Sequence, residues 1–159
     1  MTEKATFTIR EYKADDQSSV IGLLRLNTPK YFSSEEELDL IHYLQHEIDH
    51  YYVVESNGQI IGCGGINFAE DKTVGKISWD ILHPDFQGQS IGSALLKYRI
   101  KELQQTYHIQ KITVRTSQLV YRFYEKNGFV LTKIAKDYWA PGYDLYSMRY
   151  DPEALQKQL

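Results

Sequence analysis

Asp80-Ile81-Leu82-His83-Pro84-Asp85-Phe86-Gln87-Gly88-Gln89-Ser90-Ile91-Gly92-Ser93-Ala94-Leu95-Leu96 holds the decisive change of pattern in this chain. A β-type run stops at His83-Pro84, a loop of small residues follows, and an apolar helical pattern opens directly behind it. A strand–loop–helix junction of this kind gathers unpaired backbone N–H groups at the positive end of a helix. Such a point binds phosphate or another anion. Gly88, Ser90, Gly92 and Ser93 have side chains short enough to let a ligand approach the main chain.

Three phosphate-binding patterns compete for this segment. A P-loop requires Gly-x-x-x-x-Gly-Lys-Ser/Thr, and no lysine precedes Ser93. A dinucleotide site requires Gly-x-Gly-x-x-Gly, and Gly88-x-x-x-Gly92 has the wrong spacing. The remaining pattern is Gln-x-x-Gly-x-Gly, met by Gln87-Gly88-Gln89-Ser90-Ile91-Gly92 with Ser90 at the first glycine. It resembles the pyrophosphate loop of the GNAT superfamily, the acetyl-CoA-dependent N-acyltransferases. There a strand with a hydrophobic-His-Pro-like tail, as in Leu82-His83-Pro84, leads into the loop. Serine can cap a helix but resists positive φ more than glycine does. CoA binding is expected to survive the change, at most weakened.

The bulk properties fit one compact domain. The chain has 159 residues, a net charge of −3, 13 tyrosines and no long basic run, which argues against a nucleic-acid partner. The single cysteine, Cys63, excludes an intramolecular disulfide and a four-cysteine metal site; within Ile60-Ile61-Gly62-Cys63-Gly64-Gly65 it reads as a buried thiol. No stretch is long enough to span a bilayer, and Met1-Thr2-Glu3-Lys4 lacks an apolar signal core. The expectation is a cytoplasmic protein without a membrane partner.

Along the chain, Thr6 to Tyr12 alternates as a strand, and Asp15 or Asp16 caps a helix carrying Val20, Leu23, Leu24 and Leu26. Ser33-Ser34 with Glu36 and Glu37 forms two overlapping capping boxes ahead of a helix with the stripe Leu38, Ile41, Leu44, Ile48. Asn57-Gly58 between β runs signals a hairpin, and a second hairpin turns at Glu70-Asp71-Lys72 into a strand from Val74 to Leu82. The helix after the loop carries Ile91, Ala94, Leu95, Tyr98 and Leu103. Then come a strand Lys111 to Thr116, a short helix Leu119 to Asn127 stopped by Gly128, and two closing strands, Phe129-Val130-Leu131 and Leu145 to Tyr150, joined by Tyr138 to Asp144. The resulting fold class is α/β in a single domain. A mixed, mostly antiparallel sheet of six to seven strands carries about four helices and splays between the fourth and fifth strands. The domain spans 1–150, with a tail at 151–159.

Phe123-Tyr124-Glu125-Lys126-Asn127-Gly128-Phe129 resembles the second GNAT signature, aromatic-Tyr-x-x-x-Gly-Phe. The element order matches that family nearly throughout. The resemblance implies N-acetyl transfer from acetyl-CoA to a primary amine. An amine attacks the thioester carbonyl directly, a tetrahedral oxyanion forms and a thiolate leaves. Gln87, Gly88, Gln89, Ser90, Ile91, Gly92 and Ser93 would hold the pyrophosphate. The main chain at Leu82 and His83 would pair with pantetheine, and an N–H near Leu82 would meet the oxyanion. Tyr124 matches the general acid for a thiol of ordinary pKa about 8.5; read alone, it is an amphipathic core residue.

The base is less determined. An ammonium of pKa about 10.4 must lose a proton before attack, and the fifth strand, Ile112-Thr113-Val114-Arg115, carries no carboxylate. Asp80 is the candidate base on the fourth strand; a structural or acceptor-binding carboxylate is the other reading. Strand alternation puts it on one face with Ser78 and Leu82, opposite Trp79, Ile81 and His83. His83 beside Pro84 reads as a loop former. His46-Glu47-Ile48-Asp49-His50 satisfies a zinc-protease pattern, but the helix ends at once and a solvated flank is the expected role; no metal is expected. Glu35-Glu36-Glu37 suits a first helical turn, or an acidic lip for a cationic acceptor. Tyr138 to Asp144 either binds the acceptor or packs an edge. The favoured acceptor is a small-molecule amine, and a homodimer is compatible with the sequence. A CoA-binding module without catalysis is the alternative.

Overall fold

Asn57 and Gly58 take φ of 51° and 76°, and turn the strand β2 (His50–Ser56) back on β3 (Gln59–Ala69) through two residues. Positive φ at both positions is what a type I′ turn demands. In a computed structural model of the chain, residues 6–157 are described; the reading of Met1-Thr2-Glu3-Lys4 falls outside them. Around that hairpin stand β1 (Thr8–Glu11), β4 (Val74–Leu82), β5 (Lys111–Thr116), β6 (Phe129–Ala140) and β7 (Tyr143–Tyr150). They form one seven-stranded sheet in the order β1-β2-β3-β4-β5-β7-β6.

Only β4 and β5 run parallel, and their ladder covers just Val74↔Lys111 to Ile77↔Val114. Beyond Ile77, β4 continues beside β3 and β5 beside β7, so the sheet forks. The helices α1 (Gln17–Leu26) and α2 (Glu36–His46) cover one face, with Val20, Leu24, Leu40, Val53, Cys63 and Ile81 in their core. The helices α3 (Ile91–Lys101) and α4 (Tyr121–Lys126) cover the other, over Ile61, Ile77, Ile91, Leu96, Ile112 and Met148. In the segment expected to be a tail, Pro152–Lys157 form a short helix α5. No helix among the described residues is long and apolar enough to cross a membrane.

Several local expectations change. Asp16 does not cap α1; its carboxylate takes Arg10 and the Lys13 N–H. Ser33 N–H donates to Glu36 Oε2, but Ser33 Oγ is buried without a partner, so one capping box is half formed and the other absent. The buried face of α2 is Leu40, Tyr43 and Leu44, while Leu38 is 73% exposed and Ile48 lies beyond the helix. Apolar residues at 38, 40, 41, 43 and 44 fit more than one stripe. Strand β6 runs to Ala140 and β7 starts at Tyr143, so the connection shrinks to Pro141-Gly142, with Gly142 at φ 84°.

The core holds many phenols. Burial pushes Tyr43, Tyr51 and Tyr124 above the ordinary tyrosine value, and the Cys63 thiol up to about 12. These groups stay protonated when folded at a pH where the unfolded chain loses the protons, so stability falls as pH rises past about 9 for the thiol and about 10 for the phenols. Each buried tyrosine is expected to remove about 1 kcal/mol for each pH unit above that point. Urea denaturation at pH 9 and pH 11, with tyrosine ionisation followed by ultraviolet absorbance, checks it.

Candidate functional site

The fork opens a cavity of about 750 Å³ between the two helical faces. Its floor is made by the end of β4. Trp79 takes φ 48°, and the register slips between Cys63↔Ile81 and Gly65↔Ser78, leaving one extra residue in β4. This bulge breaks the alternation expected from sequence. Ser78 bonds Asn67 at 2.7 Å and Trp79 stacks on Phe32, both on the α1–α2 side. Asp80 turns to the α3–α4 side with Leu82, opposite Trp79 and Ile81 as alternation predicts, and only its grouping with Ser78 fails.

Asp80 meets two partners there. Its Oδ2 accepts the Tyr124 hydroxyl at 2.5 Å, and its Oδ1 pairs with Arg99 Nη2. Arg99 is completely buried; it donates also to the Gly65 carbonyl at 3.1 Å and the Leu95 carbonyl at 3.2 Å. A lone carboxylate or guanidinium would be costly here, and the pair makes both tolerable. Space for it comes from Gly64, where a Cβ would stand 2.4 Å from Asp80 Oδ1 and 2.7 Å from Arg99 Nη1. Burial first, then the Asp80 charge and hydrogen bond, raise the Tyr124 phenol well above its ordinary value. It therefore stays protonated across any working pH.

Arg99 is absent from the sequence-derived residues. A signal existed: Ile91, Leu95 and Arg99 fall at i, i+4 and i+8, so the arginine sits on the apolar stripe of its helix.

Just past the C-terminal end of β4, His83 N–H donates to Ile61 O at 2.8 Å, toward β3. By strand alternation the backbone of Leu82 faces the opening; its carbonyl accepts Asn27 Nδ2 at 3.0 Å and its N–H points into the fork. His83 Nδ1 accepts the Asp85 N–H, holding the turn Pro84–Phe86. Gly88 at φ 79° and Ser90 at φ 65° then steer the chain into α3. The first helical bond is Ala94 N–H to Ser90 O, so the N–H groups of Ile91, Gly92 and Ser93 are left to the cavity mouth. The Ser90 hydroxyl makes no capping bond. Gln87, Gly88, Ser90, Ile91, Gly92 and Ser93 line the cavity with Leu82, Asp80 and Tyr124, the Ile91 side chain being otherwise buried in the core, while His83 and Gln89 stand outside the lining. This N–H cradle with open space before it fits a diphosphate.

Of the other motifs, Glu36 lines the cavity while Glu37 pairs with Arg25. Helix α2 ends at His46, and His50 lies in β2 with Nε2 at 2.9 Å from the Tyr107 hydroxyl, so those histidines share no helix face. Trp139 and Tyr143 line the cavity from β6 and β7.

A family model described as acetyltransferase (GNAT) domain matches residues 47–131, just over half of the chain. An amino-acid acetyltransferase of Pasteurella multocida is 34% identical over 92 residues, covering 58% of this chain and 20% of that protein. One of Buchnera aphidicola is 28% identical over 137 residues, covering 84% and 29%. The chain thus spans less than a third of the length of these relatives. Among solved structures, the ribosomal-protein-S18-alanine N-acetyltransferase of Escherichia coli superposes with a TM-score of 0.75 at 19% identity, over 91% of this chain and 93% of that one. Spermidine N-acetyltransferase of Vibrio cholerae, with CoA and spermine, gives 0.70 at 17%, over 94% and 98%. At such identities these likenesses establish the fold.

Two substitutions test the local geometry by urea denaturation. Ser90→Gly relieves a left-handed serine and is expected to stabilise by about 0.5–1 kcal/mol. Gly64→Ala drives a methyl into the Arg99–Asp80 pair and is expected to cost about 1–3 kcal/mol.

Proposed function

The chain belongs to the GNAT acetyltransferase family, and from that premise we infer that it is an N-acetyltransferase, moving acetyl from acetyl-CoA to the primary amine of a small molecule. The observation that carries the reading is that one cavity joins the bare N–H groups behind Ser90 to the protonated Tyr124 hydroxyl. Relatives named as amino-acid acetyltransferases support an amine acceptor. The domain is taken as residues 1–150.

In this reading the N–H groups of Ile91, Gly92 and Ser93, with Gln87 and Gly88, hold the diphosphate, and Gln89 and the Ser90 hydroxyl lie within the same loop. Backbone at Leu82 and His83 flanks the pantetheine arm, and the Leu82 N–H stabilises charge on the carbonyl oxygen. Bound acetyl-CoA supplies an activated thioester. The amine forms its C–N bond to give a tetrahedral oxyanion, which collapses as the C–S bond breaks, and the proton lost by the attacking amine ends on the departing sulfur.

Tyr124 serves that sulfur as general acid: its single hydroxyl proton, given to Asp80 Oδ2 in this structure, turns to the sulfur as the thiolate departs. A phenol held so firmly protonated gives up its proton only as another replaces it, which makes it a relay. Asp80 is the weaker candidate for base, since both of its oxygens are engaged. Its stronger role is to fix the phenol ring and hydroxyl. Solvent in the cavity then accepts the ammonium proton before attack.

Tyr124→Phe is expected to lower kcat about 100-fold, the lower range of acid–base contributions, while the calorimetric Kd for CoA stays within about threefold, well under 1 kcal/mol. Thiol release from acetyl-CoA across an amine panel measures the rate. Equal rates in variant and parent would remove Tyr124 from the chemistry. CoA that binds without any turnover would leave a binding module.

A further inference from the structure

The ladder between β4 and β5 ends at Ile77↔Val114, so Ser78 and Arg115 are the first residues on either side of the fork. Ile112 and Val114 belong to the core under α3, which turns Arg115 to the α1–α2 face, the face of Ser78 and Trp79. Arg115 lines the cavity there. Leu82 lies further along β4 by the span of its β3 partners Gly65 to Gly62, about 10 Å at a strand's rise. The arginine is therefore remote from the diphosphate cradle, and a molecule gripped by it extends along β4 toward Leu82.

The guanidinium is oriented in advance. Its Cζ lies over the rings of Tyr138 and Trp139, 4.9 and 5.3 Å from the centroids of two rings set at right angles, and it donates to the Tyr138 hydroxyl. Trp139 is itself anchored, its indole N–H donating to Thr116 O at 3.1 Å. Two rings at right angles and one hydrogen bond restrict how the donor set can turn, which suits bidentate recognition of a carboxylate. Arg10, Arg25, Arg99 and Arg122 each stand within 4 Å of a carboxylate. Arg115 and Arg149 meet none among the described residues; of these two only Arg115 lines the cavity, and its remaining side-chain donors have no partner there.

We propose that Arg115 binds a carboxylate carried by the acceptor, so that the acceptor class is amino acids and related carboxylated amines. The proposal rests on the acetyltransferase reading above. With the carboxylate at the fork, the amine end points along β4 toward the thioester, and Trp139 and Tyr143 wall the body of the molecule.

The test follows thiol release from acetyl-CoA with matched pairs that differ only by a carboxylate: phenylalanine and 2-phenylethylamine, leucine and isopentylamine, lysine and cadaverine. The parent protein is expected to favour the acid-bearing member of at least one pair by tenfold or more in kcat/KM. Arg115→Gln, a change at an exposed residue, is expected to shrink that ratio about 10- to 100-fold, chiefly through KM, the effect of one charge-assisted hydrogen bond. Arg115→Lys should recover part of it. A parent that favours the decarboxylated amine in every pair overturns the proposal, as does an Arg115→Gln protein that keeps the ratio. So does CoA-loaded protein that neither acetylates nor binds, by calorimetry, any acid of the panel. In each case CoA binding and turnover of carboxylate-free amines, measured in the same series, show whether acetyl transfer itself still stands. Failure to bind CoA would remove both readings.

Discussion

A carboxylate inside a protein is tolerated only when an opposite charge goes in with it, and much of this molecule is arranged around that requirement at Asp80. The guanidinium of Arg99 supplies the charge from a position with no solvent exposure at all. Gly64 supplies the volume, because any side chain there would occupy the place of the ion pair. The bulge at Trp79 supplies the direction, by rotating Asp80 away from the face that holds Ser78. Remove any one and the remaining polar groups are stranded, at a cost of several kcal/mol for a broken buried pair. The Tyr124 hydroxyl is the third member, and its distance of 2.5 Å from the carboxylate ties α4 to the strand floor.

The same bulge separates the two sides of the opening. Asp80, Arg99 and Tyr124 lie toward α3 and α4, and the diphosphate cradle begins α3 itself. Trp79, Phe32, Glu36 and Arg115 lie toward α1 and α2. Two consecutive residues, Ser78 and Trp79, turned to one face therefore let one strand present an aromatic wall to one side and a carboxylate to the other. A regular strand offers the same separation only in strict alternation.

Much of this was legible in the sequence because it depends on local chemistry. Asn57-Gly58 fixes its turn through positive φ, and Gly128 at φ 96° follows α4 for the same reason. The loop from Gln87 to Ser93 declares a helix start and an N–H cradle through its small residues alone. The rest depends on packing that sequence does not state. A tryptophan at φ 48° is held by surrounding contacts and carries no local mark, so the alternation drawn through it failed at Ser78. Arg99 sits among Lys97, Tyr98 and Lys101 and passes for a surface cation unless its place on the Ile91–Leu95 stripe is weighed. The α2 stripe went wrong because apolar residues at 38, 40, 41, 43 and 44 offer overlapping stripes over two turns, and packing against α1 decides between them.

One hydrogen bond gives the rim of the opening a mechanical character. The Tyr143 hydroxyl reaches the Pro29 carbonyl at 2.6 Å, joining segments 114 positions apart in the chain. The α1–α2 connection and the β6–β7 hairpin are thereby latched to each other across the gap. A solvent-exposed bond of this type is worth only about 1 kcal/mol, so thermal agitation unfastens it often. While it is fastened, the two rims are held at one spacing, and the width of the opening is set jointly by segments far apart in the chain.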